Sequence, residues 1–175
     1  MRKVATTLEV SVSAARVWEV ISDFGNVHRF HPLVRRAPIV GEIERGVGAT
    51  RRCEFYDSTS VVERVVNWVD GEFIEVELSE MMMPLKEATS YIKIKSIGEN
   101  AAAVTLGMHY AYKGSPRGWL KDVLIMRSVM QKMLTKTIKA LEYHVTTGKL
   151  VGEGGVQDWK VECYRNTGGD MHIAG

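Results

Sequence analysis

From residue 34 to residue 113 apolar and polar positions alternate with a period of two. The alternation is interrupted at Gly41, Gly46/Gly48, Asp57/Ser58, Asp70/Gly71, Met83/Pro84 and Gly98/Asn100. The interruptions predict six strands, at about 34–44, 49–56, 60–69, 72–80, 87–97 and 101–113, and connections this short make neighbours antiparallel. A β-rich run at 4–12 precedes them. After it the period changes: Val17, Val20, Ile21 and Phe24 fall on one helical face, with Ser13 as a side-chain cap. Gly25 stops that helix, Asn26 can cap a second short one, and Pro32 ends it.

The longest periodic stretch is 119–145, which contains no glycine or proline. Leu120, Val123, Met130, Leu134, Ile138, Leu141 and Val145 recur at three- and four-residue steps, and Trp119, Met126, Met130, Met133 and Ala140 form a second row beside them. The resulting arc is wider than one packing contact requires. It predicts a helix that closes a core on one flank and lines something on the other. A helix of about 30 residues is ~45 Å long and a ten-residue strand ~33 Å, so one helix can cover a whole sheet face. The predicted class is α+β: a seven-stranded curved antiparallel sheet around a long C-terminal helix, with two short helices after the first strand. Residues 149–175 change composition, with seven glycines counted from Gly148, and only 158–164 reads as a strand. The expected organisation is one domain at 1–148 and a flexible Gly-rich tail, with order against the body as its alternative.

Composition adds limits. A net charge of +2, with acids and bases interspersed, gives no drive toward nucleic acid, and no basic stripe is interleaved with aromatics. Residues 117–148 carry six Lys/Arg against Asp122 and Glu142, a basic face that is either simply solvated or makes transient contact with anionic lipid. Cys53 and Cys163 lie far apart without other ligand-type spacing, which argues against a disulfide scaffold, a metal site or a cofactor cluster. The start is basic but has no apolar core behind it, and no apolar run approaches the ~20 residues of a membrane span. A soluble cytoplasmic protein is expected, its oligomeric state unset.

Alternation separates the sheet faces. Glu75 and Glu77 face water, sending Ile74, Val76 and Leu78 inward; Lys93 and Lys95 do the same for Ala88, Ser90, Ile92 and Ile94. On the last strand Val104, Leu106, Met108, Tyr110 and Tyr112 face inward and His109 outward. Two strands do not separate. Arg51, Cys53 and Phe55 compete with Thr50, Arg52, Glu54 and Tyr56, and Val61, Glu63 and Val65 with Val62, Arg64, Val66 and Trp68. Arg51 and Glu63 are then either the polar anchors of an apolar interior or solvated residues at the sheet rim. His28 and His31 read as loop and cap histidines near a pocket mouth, without further residues to complete a metal site. The run MMMP at 81–84 reads as a hydrophobic lid or as a loop tucked onto the core.

The order of elements resembles the START-like (SRPBCC) superfamily, and most of all its bacterial polyketide cyclase/dehydrase-type branch. The matching segments are VSAARVWEVISDFGNVHRFHPLV at 12–34, GVGATRRCEF at 46–55, SVVERVVNWVDGEFIEVEL at 60–78, MPLKEATSYIKI at 83–94 and VTLGMHYAY at 104–112. The resemblance implies a helix-grip fold with an apolar cavity between sheet and helix, and it turns Arg51 and Glu63 toward that cavity. On this reading the ligand-binding positions of the sheet are Arg51, Cys53, Phe55, Glu63, Val76, Leu78, Ser90, Ile92, Leu106, Met108 and Tyr110. Met82 joins them from the loop, and Met126, Met130, Met133 and Leu134 from the helix. The implied function is binding of a small hydrophobic or aromatic molecule. The alternatives are a cyclase, aromatase or dehydratase in which Arg51 steadies an enolate-like oxygen and Glu63 or Tyr110 moves a proton, or a lipid or quinone carrier at a membrane.

Overall fold

A computed structural model of the chain describes residues 1–82, 85–112 and 119–156, with side chains described outside 112–126. The elements run β1 (Arg2–Val10), α1 (Ala14–Ser22), a 3₁₀ helix (Phe24–Arg29), β2 (Val34–Arg36), β3 (Thr50–Phe55), β4 (Ser60–Val69), β5 (Phe73–Ser79), β6 (Leu85–Gly98), β7 (Ala101–Tyr112) and α2 (Trp119–Thr147). The seven strands form one antiparallel sheet in the order β1-β7-β6-β5-β4-β3-β2. The sheet holds α2 against one face, with Ile138 and Leu141 almost fully buried in the main core. Leu120 and Val123, expected to pin the helix, lie outside the described side chains.

One strand expectation needed correction, and one open parity is resolved. The strand predicted at 34–44 is regular only over Val34–Arg36, followed by a single bridge between Ile39 and Arg51. Pro38 has no N–H to give, although its carbonyl accepts from Arg52 N at 2.9 Å, and Gly41, Gly46 and Gly48 all have positive φ, turning the chain into a loop. In β4 the ambiguity between the two parities has a structural cause. The register shifts between Val65 and Asn67, so the bulge at Val66 puts Glu63 and Val65 on the inner face and returns Trp68 to it. Trp68 then meets Trp18 of α1 edge-on, their ring centroids 5.4 Å apart.

On the outer face, Tyr91 of β6 lies across Gly107 of β7, its register partner, and between Phe73 and His109. A Cβ built on Gly107 would stand 2.2 Å from the Tyr91 ring. Glycine is therefore required by the ring, and the ring covers the backbone that glycine leaves bare. Gly107→Ala is expected to cost about 1–3 kcal/mol in urea unfolding through displacement of Tyr91, and Tyr91→Ala made first should remove most of that penalty.

The far end of α2 is tied in several places. Arg16 donates to the Val145 carbonyl at 2.8 Å, Glu142 accepts from Ser11 N at 2.9 Å, and Gly148, at φ 70°, closes the helix through its N–H to the His144 carbonyl. The chain then turns back. Residues 149–156 are not a free tail: Val151 is buried and donates to the Arg29 carbonyl at 2.8 Å, and Gly154 donates to the Pro32 carbonyl at 3.0 Å. A Cβ on Gly155 would stand 3.2 Å from Pro32, so the strap lies close on the 3₁₀ helix and the loop after it. The remainder of the predicted tail, 157–175, lies outside the described residues.

Candidate functional site

Between the sheet and α2 lies a cavity of about 620 Å³. Its sheet wall consists of Arg51, Cys53 and Phe55 from β3, Glu63 from β4, Val76 and Leu78 from β5, Ser90 and Ile92 from β6, and Leu106 and Met108 from β7. The helix contributes Met130, Met133, Leu134 and Thr137. This is the second flank of the over-wide arc. Met126 lies outside the described side chains. Arg127, on the same helix, is exposed and is not among the lining residues. Tyr110 departs from expectation: it has the inward parity but is not among the lining residues, and it packs in a second core cluster with Val4, Leu85, Ala88 and Met108, of which Met108 does line the cavity.

Most of the wall is apolar, and apart from the hydroxyls of Ser90 and Thr137 its inner polar side chains gather at one place. Arg51 and Glu63 are register partners across β3 and β4, so alternation brings both side chains to the inner face side by side. Arg51 donates from Nε to Glu63 Oε2 at 2.7 Å and from Nη1 to the Phe24 carbonyl at 2.6 Å, while its guanidinium lies 4.0 Å from the centroid of the Phe24 ring. The side chains are only 12% and 16% exposed. The pair is thus desolvated, and the carbonyl and the ring take up what one carboxylate leaves unsatisfied. Beside it Cys53 is buried, and loss of hydration, reinforced by the nearby Glu63 charge, pushes its thiol up to about 12. It remains a protonated thiol at neutral pH, without thiolate nucleophilicity.

His31 completes the polar cluster, a placement that the sequence pattern, which points it to the mouth, does not reveal. Burial pulls its pKa from 6.5 down to about 4, outweighing the nearby Glu63 charge, while Arg51 lowers it further. The neutral imidazole accepts at Nδ1 from the Leu33 N–H at 3.2 Å, which leaves its proton on Nε2. His28 does not line the cavity, although its Nδ1 is buried without a partner among the described residues. No signal in the sequence separates these two histidines. The difference is the turn of the 3₁₀ helix, which aims one at the cavity and the other away.

The mouth is marked by the lining residues that are also exposed: Asp23, Leu33, Asp57, Met82, Val129 and Glu153. Of the run at 81–84, only Met81 and Met82 are described. Met81 is half-buried on both core clusters, and Met82 is 81% exposed at the rim. Met83 and Pro84 lie outside the described residues.

The matching family profile settles what this architecture belongs to. It is described as "Polyketide cyclase / dehydrase and lipid transport" and matches residues 1–146. The chain belongs to this family. A comparison with curated proteins finds no match. Among solved structures, a protein from Thermobifida fusca is similar at 21% identity and a TM-score of 0.70, over 83% of this chain and 93% of its own. A START superfamily protein from Mycobacterium smegmatis gives 17% identity and 0.67, over 84% of this chain and 99% of its own. The ZhuI aromatase/cyclase of a Streptomyces species gives 18% identity and 0.63, over 89% and 99%. These likenesses establish the START-like helix-grip fold. The polyketide cyclase/dehydrase profile ends at residue 146, before the strap at 149–156 that carries Glu153 to the cavity rim. Among the described residues no group of three or more His, Cys, Asp or Glu is placed to hold a metal ion, and no helix is long and apolar enough to cross a membrane.

Proposed function

We propose that the protein binds a small hydrophobic or aromatic molecule in the cavity between sheet and α2, oriented by the Arg51–Glu63–His31 cluster. The carrying observation is a cavity of about 620 Å³ whose largely apolar wall carries, behind its exposed rim, the Arg51–Glu63 pair and His31 together with the hydroxyls of Ser90 and Thr137. Left dry, such a void would cost up to ~15 kcal/mol at ~24 cal/mol per Å³, as much as a whole domain's stability. It therefore holds solvent or a ligand. Apolar surface in the ligand displaces that solvent from the wall, and one polar group on it meets the Nε2–H of His31 or the guanidinium of Arg51. Native mass spectrometry of the freshly purified protein should reveal a co-purifying small molecule, or an added neutral apolar dye should bind with about micromolar affinity. Ser90→Trp, which fills the cavity from β6, should abolish binding; dye uptake unchanged in that variant would overturn the reading.

A second reading is favoured by one observation, the neutral His31 beside a carboxylate and a guanidinium. In such a cluster Glu63 can take a proton from an activated carbon while Arg51 and the Nε2–H of His31 stabilise the oxygen that gains charge, the chemistry that a cyclase, aromatase or dehydratase needs. The likeness to an aromatase/cyclase supports this reading only through the fold. If it is right, Glu63→Gln lowers turnover of a polyketide-like substrate by at least 100-fold while leaving binding of the same compound within a few-fold.

A further inference from the structure

We infer that the cavity discriminates by charge, rejecting anionic amphiphiles in favour of neutral or cationic ones, and that the strap at 149–156 supplies part of this selectivity through Glu153. The inference rests on the ligand-binding reading above and adds the class of ligand. Inside, Arg51 and Glu63 cancel and His31 is neutral. At the rim stand three carboxylates, Asp23, Asp57 and Glu153, each exposed, and Arg51 is the one lysine or arginine among the described lining residues. Asp57 accepts from both the N–H and the O–H of Thr59, at 2.9 and 2.7 Å, contacts that favour its ionised form. An incoming carboxylate or sulfonate therefore meets three carboxylates among the exposed lining residues and, inside, a guanidinium that is already paired.

Glu153 is not at the rim by accident of a loose chain end. His144 Nδ1 donates to the Lys149 carbonyl at 2.7 Å, and the backbone bonds from Val151 to Arg29 and from Gly154 to Pro32 bracket Glu153 on both sides. Those bonds grip the same segment that carries His31. The strap thus keeps Glu153 among the lining residues and holds the loop bearing His31, in a segment that follows the profile match.

The test uses two dyes with one apolar body: neutral N-phenyl-naphthylamine, and anilinonaphthalene sulfonate, which adds a negative charge. In low salt the full-length protein should bind the neutral dye about tenfold more tightly than the anionic one, since a carboxylate about 7–10 Å from a like charge in water is worth roughly a two- to threefold penalty. The ratio should shrink as salt is raised. Glu153→Gln should narrow it about twofold and Glu153→Lys about fourfold, with affinity for the neutral dye unchanged as the sign that the cavity is intact. Equal affinity for the two dyes, or a ratio that Glu153→Lys leaves in place, would overturn the charge selectivity while leaving the binding function standing. Failure of both dyes to bind would remove the binding function and this inference with it.

Discussion

Exchanging Arg51 for methionine is expected to cost about 3–5 kcal/mol, the largest single effect the site predicts. The substitution leaves Glu63 desolvated without a counter-charge, and it also strips the Phe24 carbonyl of a donor and the Phe24 ring of its cation. Adding Glu63→Leu to Arg51→Met should return most of the loss, because a buried pair replaced as a unit leaves no orphan charge. Urea unfolding of the wild type, the two single variants and the double variant closes the cycle. A double variant as unstable as the sum of the singles would show that each residue is held by its other contacts and that the ion pair itself contributes nothing.

The second large effect is in pH. His31 is neutral in the folded protein down to about pH 4, whereas the same group in the unfolded chain takes a proton near 6.5. Between those values the unfolded state binds more protons, so stability is complete above about pH 6.5 and drains away toward pH 4. At about 1.4 kcal/mol per pH unit the interval amounts to as much as ~3 kcal/mol, the upper end for a side chain that is not wholly enclosed. His31→Gln should flatten that part of the acid limb, measured as urea midpoints between pH 4 and 7. A limb of unchanged slope in the variant would assign the acid sensitivity to other groups.

Much of the cavity wall is legible in the residues themselves. Strict alternation on β5, β6 and β7 assigns Val76, Ser90, Ile92, Leu106 and Met108 to the inner face, where they line the cavity. The same parity places Tyr110 inward, and it is inward, but lateral position decides whether an inward residue meets space or core, and alternation carries no lateral information. The Arg51–Glu63 pairing depends on a register, Arg51 opposite Glu63, that neither strand specifies alone. His31 escapes a pattern argument because a histidine in a short loop has no period to betray its direction. The strap escapes it for a different reason: glycines that predict looseness also permit the close approach of Gly155 to Pro32 and the positive φ of Gly154.

The bulge at Val66 has a consequence for how this strand can be rebuilt. By absorbing one residue it uncouples the two ends of β4: Val61 and Glu63 line the cavity, and Trp68 addresses α1, on independent counts. The strand behaves as two short modules joined by a spacer. Its ligand-facing half can be redesigned, even reversed in charge, without transmitting a frame error to the tryptophan pair that docks the first helix.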